Sequence, residues 1–159
     1  MKRKNSYYIS GNNVYMLVKN TTMSREVIID LDDLQEVAKY NWRLNKDAYA
    51  VHSSVATKEI FMHHLILKRK KGLETDHINR NRVDNRKANL RYATRQQNVE
   101  NTGVRKDSLT KIKGVGYYKS IDRWCAKIQI RGKRMFLGSR KSPEEAEKLY
   151  KNAVAKYRN

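Results

Sequence analysis

An α+β fold is the expectation for this chain of 159 residues, and three patterns carry it. Short β-prone runs separated by turn residues fill residues 6–67. A strand–loop–strand–helix unit follows between residues 73 and 101. The last third alternates apolar and polar residues over three short runs and closes on a strongly patterned helix. The division expected from these patterns is a β-rich N-terminal module (1–58), a central core (59–102), a polar linker (103–110) and a C-terminal unit (111–159). Segments of about 50 residues bury too little surface to be robust alone, so neighbours are expected to share cores.

In the first module, Ser6–Ser10 and Val14–Lys19 read as strands, with Gly11–Asn13 as the hairpin turn. Arg25–Ile29 is a third. From Asp30 to Tyr40 the spacing turns helical, with Leu31, Leu34, Val37 and Ala38 on one face and acids in the first turn. Trp42–Leu44, Tyr49–Ser53 and Glu59–Leu67 resume the β pattern. No residue before Phe61 suggests chemistry. His63 and His64 would point to opposite faces of the last of these strands, so they would not chelate one ion together. His63 is the candidate for a phosphate contact.

The single cysteine, Cys125, excludes a disulfide framework and any Cys-rich zinc site. No apolar run approaches the roughly 20 residues of a membrane span. The N-terminus MKRKNSYY lacks the apolar core of a signal peptide. A soluble protein of the bacterial, or phage-infected, cytoplasm is expected, with no membrane partner. Charge says more. The net +19 is uneven: +2 over residues 1–62, +6 over 63–102 and +11 over 103–159. Such a gradient points to a polyanion facing the middle and C-terminal parts, and double-stranded DNA is the expected partner.

The central core concentrates the chemistry. Asp76 and His77 end the strand that starts at Leu73, an Asn- and Arg-rich loop follows, and Leu90–Ala93 forms a second strand. Thr94 is an N-cap with Gln97 as its capping-box partner, so a helix runs to Glu100 or Asn101, before Gly103. Phosphodiester hydrolysis needs a base for water, and the ordinary pKa of histidine suits it, which selects His77. The developing charge needs a hard cation. Asp76 and Asn98 offer one carboxylate and one amide oxygen, a set suited to one Mg²⁺ or Mn²⁺. Asn89 could orient the base through its side chain or by fixing the loop backbone. In the loop, Arg80, Arg82 and Arg86 are candidates for phosphate contacts.

An Asp-His pair, an Asn twelve residues after the His and another Asn nine residues later resemble the HNH (His-Asn-His) endonucleases of the ββα-metal class. The likeness to phage and intron-encoded homing members extends through HHLILKRKKGLETDHINRNRVDNRKANLRYATRQQNVENT and the upstream KYNWRLNKDAYA. The resemblance implies His77 as general base, Asp76 as first metal ligand, Asn89 as the middle Asn and Asn98 as the last motif position. Asn98 stands where many members have His, and several homing members resemble this His-Asn-Asn form. The implied activity is site-directed, metal-dependent cleavage of duplex DNA. One catalytic segment per chain makes a monomer a nicking enzyme, with a dimer required for a concerted double-strand break. The alternative is a non-catalytic DNA-binding regulator on a dead HNH scaffold.

In the C-terminal unit Gly114–Lys119, Arg123–Arg131 and Arg134–Leu137 read as a three-stranded antiparallel sheet. Trp124, Ala126, Ile128 and Ile130 alternate with Cys125, Lys127, Gln129 and Arg131, so one face is apolar and the other basic. Ser142, Pro143 and Glu145 open a helix whose apolar stripe covers the first face. Lys127, Gln129, Arg131 and Arg134 then remain for a major groove. GVGYYKSIDRWCAKIQIRGKRMFLGSRKSPEEAEKLYKNAVAKY resembles the DNA-binding domain of the plant APETALA and ethylene-response-factor type. That resemblance implies contacts from Tyr118, Lys127, Gln129, Arg134 and Phe136.

Overall fold

Residues 5–54, 57–104, 108, 110–130 and 132–157 are described in the structure, a computed structural model. The chain divides into two units, residues 1–101 and 102–159. Mixed α+β architecture holds in both, with several sheets and few helices. Among the described residues, no helix is long and apolar enough to cross a membrane.

The first unit opens with β1 (Tyr7–Ser10), β2 (Asn13–Lys19) and β3 (Ser24–Asp30), antiparallel neighbours on either side of β2. Gly11 takes a left-handed φ of 57° in the first turn, which only glycine adopts without cost. In the second turn the Asn20 side chain accepts from Thr22 N at 2.9 Å and Met23 N at 2.7 Å. After the single turn α1 (Leu34–Val37) come β4 (Arg43–Leu44), β5 (Ala50–Ser54) and β6 (Thr57–Phe61), which complete the sheet. Val14, Met16 and Val18 alternate inward from β2 and meet Val27, Ile29, Val37, Trp42, Leu44 and Ala50 in one core.

Two elements differ from expectation. The helix expected over Asp30–Tyr40 is a 3-10 turn, Leu31–Asp33, followed by the four residues of α1. Trp42 Nε1 donates to Val37 O at 2.9 Å, so the indole takes a carbonyl that a longer helix would have used. The strand expected over Glu59–Leu67 stops at Phe61, and Met62–Ile66 is α2, a short helix. Met62 is fully buried in the core, with Leu65 and Ile66 packed against it. That 62/65/66 spacing is helical, but a segment of only five residues is too short to display it. His63 and His64 therefore do not alternate across a strand; their ring centroids lie 4.3 Å apart.

The unit ends with β7 (Glu74–His77), a loop, β8 (Leu90–Ala93) and α3 (Arg95–Asn101). Thr94 N donates to Gln97 Oε1 at 2.8 Å and Gln97 N to Thr94 Oγ1 at 3.2 Å, the reciprocal pair of a capping box. The loop does not hang free. The outer edge of β3 seats it: Ile28 N donates to Val83 O and Asn85 N to Ile28 O, both at 2.8 Å. Lys87 N adds a bond to Asp30 Oδ2 at 2.7 Å.

In the second unit β9 (Val115–Tyr118), β10 (Arg123–Ile130) and β11 (Lys133–Arg140) form an antiparallel sheet in the order β11-β10-β9. β11 runs past Leu137 because a bulge opposite Ala126 and Lys127 absorbs one residue. The helix α4 (Pro143–Tyr157) packs Ala146, Tyr150 and Ala153 on Val115, Ala126 and Ile128. Glu145 N donates to Ser142 Oγ at 3.2 Å, the expected cap. Gly114 is required where it stands. It has φ 76°, and a Cβ there would lie 2.3 Å from the Tyr150 ring.

Candidate active site

Strand alternation puts Glu74 and Asp76 on the face of β7 that α3 covers. Arg95 Nη1 donates to Glu74 Oε1 at 2.9 Å, and Asn98 Nδ2 donates to Glu74 Oε2. These bonds hold the Glu74 carboxyl below the ordinary glutamate range, Arg95 first and Asn98 second. One helical turn on, Asn101 Nδ2 reaches Asp76 Oδ1 at 2.9 Å, Asp76 Oδ2 at 3.1 Å and His77 O at 2.8 Å. Across the hairpin Arg91 pairs with Asp76, with Nε at 2.9 Å and Nη2 at 2.8 Å from Oδ2.

The His77 ring is buried, and its Nε2 lies 3.2 Å from Asn85 Oδ1. An amide oxygen only accepts, so Nε2 carries the proton and the neutral ring has its lone pair on Nδ1. The Asn85 amide is fixed in that sense because its Nδ2 is turned to Met62 Sδ at 3.7 Å and Val83 O at 3.5 Å. Burial lowers the His77 pKa below the usual value; the Asn85 hydrogen bond and the charges of Asp76 and Asp84 oppose this. Arg82 adds to the lowering. Behind the ring stand Tyr49 at 5.9 Å and His63 at 5.2 Å between centroids. Arg82 lies over the Tyr49 ring at 4.8 Å and donates to Asp47 O at 2.8 Å.

Asn89 fixes the loop through its backbone and side chain. Its Oδ1 accepts from Asn79 N at 2.9 Å, its Nδ2 donates to Asp84 O at 2.8 Å, and its carbonyl accepts from Ile78 N at 2.9 Å. Asp84 is buried at the loop's centre, bound by Arg86 Nε and Nη2 at 2.8 Å each and by Asn79 Nδ2 at 3.0 Å. Arg86, chiefly, holds the Asp84 carboxyl below its ordinary pKa.

The structure thus keeps Asp76 and His77 as neighbours at the end of β7, Asp76 with Arg91 and Asn101 and His77 with Asn85. It sets Asn89 in the loop frame, while Asn98 faces Glu74 and not Asp76. Arg80 and Arg82 are exposed; Arg86 is half-buried and spent on Asp84. Three residues here were not among the expected site residues: Arg91, Asn101 and Asn85, the last expected only to shape the loop. Asn101 could have been found from its place three residues beyond Asn98, on the same helical face.

His63 differs most from its expected place at a phosphate. It is 6 % exposed, its ring wedged among Tyr49, Phe61, His64 and His77. Burial first, then the neighbouring histidines, push its pKa from 6.5 down to about 3. Between those values the unfolded chain binds a proton that folded His63 refuses, so stability falls as pH drops through this window. The slope from one such group is at most about 1.4 kcal/mol per pH unit. Urea unfolding followed from about pH 7 to about pH 4 should give a shallower fall in His63→Phe than in the wild type. An equal fall would mean that folding does not hold His63 neutral.

In the second unit, the face of the sheet away from α4 carries Tyr118, Lys127, Gln129, Arg134 and Phe136. Lys127 is paired with Phe136 across one edge and lies over the Tyr118 ring at 4.3 Å on the other. Phe136 is 58 % exposed, far more than packing requires. Gln129 and Arg134 face each other two pairs along, the next pair on this face. Arg131, expected on the same face, lies outside the described residues.

Residues 61–100 match the HNH endonuclease family. The chain is 31 % identical over 121 residues to an uncharacterized HNH endonuclease of Acanthamoeba polyphaga mimivirus, across 72 % of this chain. It spans 65 % of that viral protein's length. No solved structure matches.

Proposed function

We propose that this protein is an HNH endonuclease of the homing type that hydrolyses one phosphodiester bond of duplex DNA. The observation that carries the reading is the Nε2–H of His77 given to Asn85, which leaves Nδ1 unprotonated and able to take a proton. His77 takes the proton of the attacking water at Nδ1, and Asn85 steadies the imidazolium so formed. Arg82, exposed over Tyr49 next to the base, lies where it can meet the substrate's phosphates, with Arg80 as a second contact from the same loop.

HNH nucleases use a divalent ion, and the donor set here fits one. Asp76 is a buried carboxylate that already draws N–H donors and a guanidinium onto its oxygens, so the position is built for positive charge. Among the described residues, no three His, Cys, Asp or Glu cluster as a metal cage. One carboxylate with the amide oxygen of Asn98 or Asn101, each of which here turns its Nδ2 to a carboxylate, would suit Mg²⁺ or Mn²⁺ together with substrate and water oxygens. When bound, the ion supplies charge neutralisation at the scissile phosphate.

The C-terminal sheet, read as an APETALA/ethylene-response-factor-type domain, positions the cut, with Tyr118, Lys127, Gln129, Arg134 and Phe136 against the duplex. Lys127→Ala or Arg134→Ala should weaken DNA binding several-fold and lower the slope of log affinity against log salt by about one, with cleavage at saturating DNA unchanged. A salt slope equal to the wild type would remove the sheet from the interface. The protein is proposed to act as a monomer in the cytoplasm of a bacterial or phage-infected cell, and so to nick.

The test is incubation of supercoiled plasmid libraries with the full chain in Mg²⁺, Mn²⁺ or EDTA. Nicked or linear product is expected with either ion and none with EDTA. Asp76→Ala should retain DNA in a gel shift and give no product. If the wild type retains DNA yet cuts no library under either ion, the alternative of a DNA-binding regulator on an inactive scaffold replaces this one.

A further inference from the structure

Both oxygens of the Asp76 carboxylate are engaged. Arg91 Nε and Nη2 occupy Oδ2 at 2.9 and 2.8 Å, and Asn101 Nδ2 occupies Oδ1 at 2.9 Å. Other cations nearby have partners of their own: Arg95 has Glu74 and Arg86 has Asp84. Arg91 stands opposite Asp76 in the hairpin register, so the pairing follows from strand geometry. Its side chain is 43 % exposed, while that of Asp76 is buried. The guanidinium therefore joins a buried anion to a surface open to ligand.

We propose that Arg91 is a cationic latch on Asp76, which a divalent ion must displace and which a DNA phosphate draws away. Metal and DNA then bind cooperatively. This rests on the reading of Asp76 as a metal ligand. A guanidinium and a divalent ion cannot both hold Oδ2 closely, because their like charges repel. Moving the guanidinium to a backbone phosphate keeps it paired and bidentate, which is the geometry Arg offers best. Each ligand then raises the affinity of the other by the same factor, as linkage requires.

Mn²⁺ binding to the full chain, followed by calorimetry and by the spin-resonance signal of free Mn²⁺, tests this with no reliance on turnover. The measurement is made with and without a 30-base-pair duplex, in a His77→Ala background so that the duplex stays intact. With Arg91 present, the duplex should tighten Mn²⁺ binding about tenfold. Arg91→Gln should bind Mn²⁺ about tenfold tighter without DNA and gain little from the duplex. Arg91→Lys, which keeps a charge but not the fork, should fall between them, and it tests the latch if the Gln variant does not fold. Equal or weaker Mn²⁺ binding by Arg91→Gln or Arg91→Lys would make Arg91 an orienting partner of Asp76 and overturn the latch. So would an unchanged Mn²⁺ affinity on adding duplex.

Asp76→Ala separates the two levels. Mn²⁺ binding that survives this change, or its absence from every variant, overturns the metal-nuclease reading and the latch with it. Metal-dependent plasmid cleavage combined with no tightening in Arg91→Gln overturns the latch alone.

Discussion

His77→Ala is expected to lower single-turnover DNA cleavage by about a thousand-fold, the middle of the range for a positioned general base. DNA binding should change little, because the ring is buried against Tyr49 and His63 and not offered to a duplex. The variant leaves a space lined by those rings and by the Asn85 amide oxygen. Imidazole added to the buffer should enter it and restore part of the rate, with a dependence on the concentration of neutral imidazole. Lost packing will also cost stability, about 2–3 kcal/mol by analogy with other buried large-to-small changes. A thermal melt in parallel separates that loss from chemistry. Cleavage within a few-fold of the wild type by a folded variant would place the base elsewhere.

The second large effect is expected from Asn85. It is 1 % exposed, and it is held from behind by Ile28, whose carbonyl takes its backbone N–H at 2.8 Å. Asn85→Ala removes the acceptor for His77 Nε2–H, and the imidazole is then free to turn or to change tautomer. Cleavage should fall by about 10–100-fold, the usual cost of losing the group that orients a reacting or ligating His. An unpaired buried N–H adds about 1–3 kcal/mol of destabilisation. Asn85→Asp carries the more telling readout. A carboxylate facing Nε2–H favours the imidazolium, so the His77 pKa rises and the acid limb of the rate profile moves to higher pH. A residue that merely filled space would leave that limb where it is. An unmoved limb in Asn85→Asp, with the fold intact, would leave Asn85 no part in positioning the base.

Local signals account for what could be read without coordinates. The capping box at Thr94 and Gln97, the Ser142 cap and the two-residue alternation of β10 each lie within a few residues of sequence, and each appears where expected. Asp76 and His77 were legible for the same reason, being neighbours at a strand end. Partners at the site were not. Arg91 meets Asp76 only through a hairpin register set across a twelve-residue loop, residues 78–89, and Asn85 reaches His77 only because β3 seats that loop. Which amide of α3 faces Asp76 depends on how far the helix slides along β7, a choice of one turn between Asn98 and Asn101. Propensity is silent on that choice. The helix over Met62–Ile66 escaped because five residues following a strand are too few to show a helical period and read equally well as more strand.

The bond pair between Ile28 and the loop has a practical meaning for anyone wishing to transplant the proposed nuclease site onto another protein. A graft beginning at residue 59 would keep every motif residue and discard the strand edge that carries Asn85. The loop's acceptor Val83 O and donor Asn85 N would be left to water, and His77 would lose its support. The portable cassette therefore starts with the β1–β2 hairpin and ends with α3, and a fusion junction belongs after Asn101.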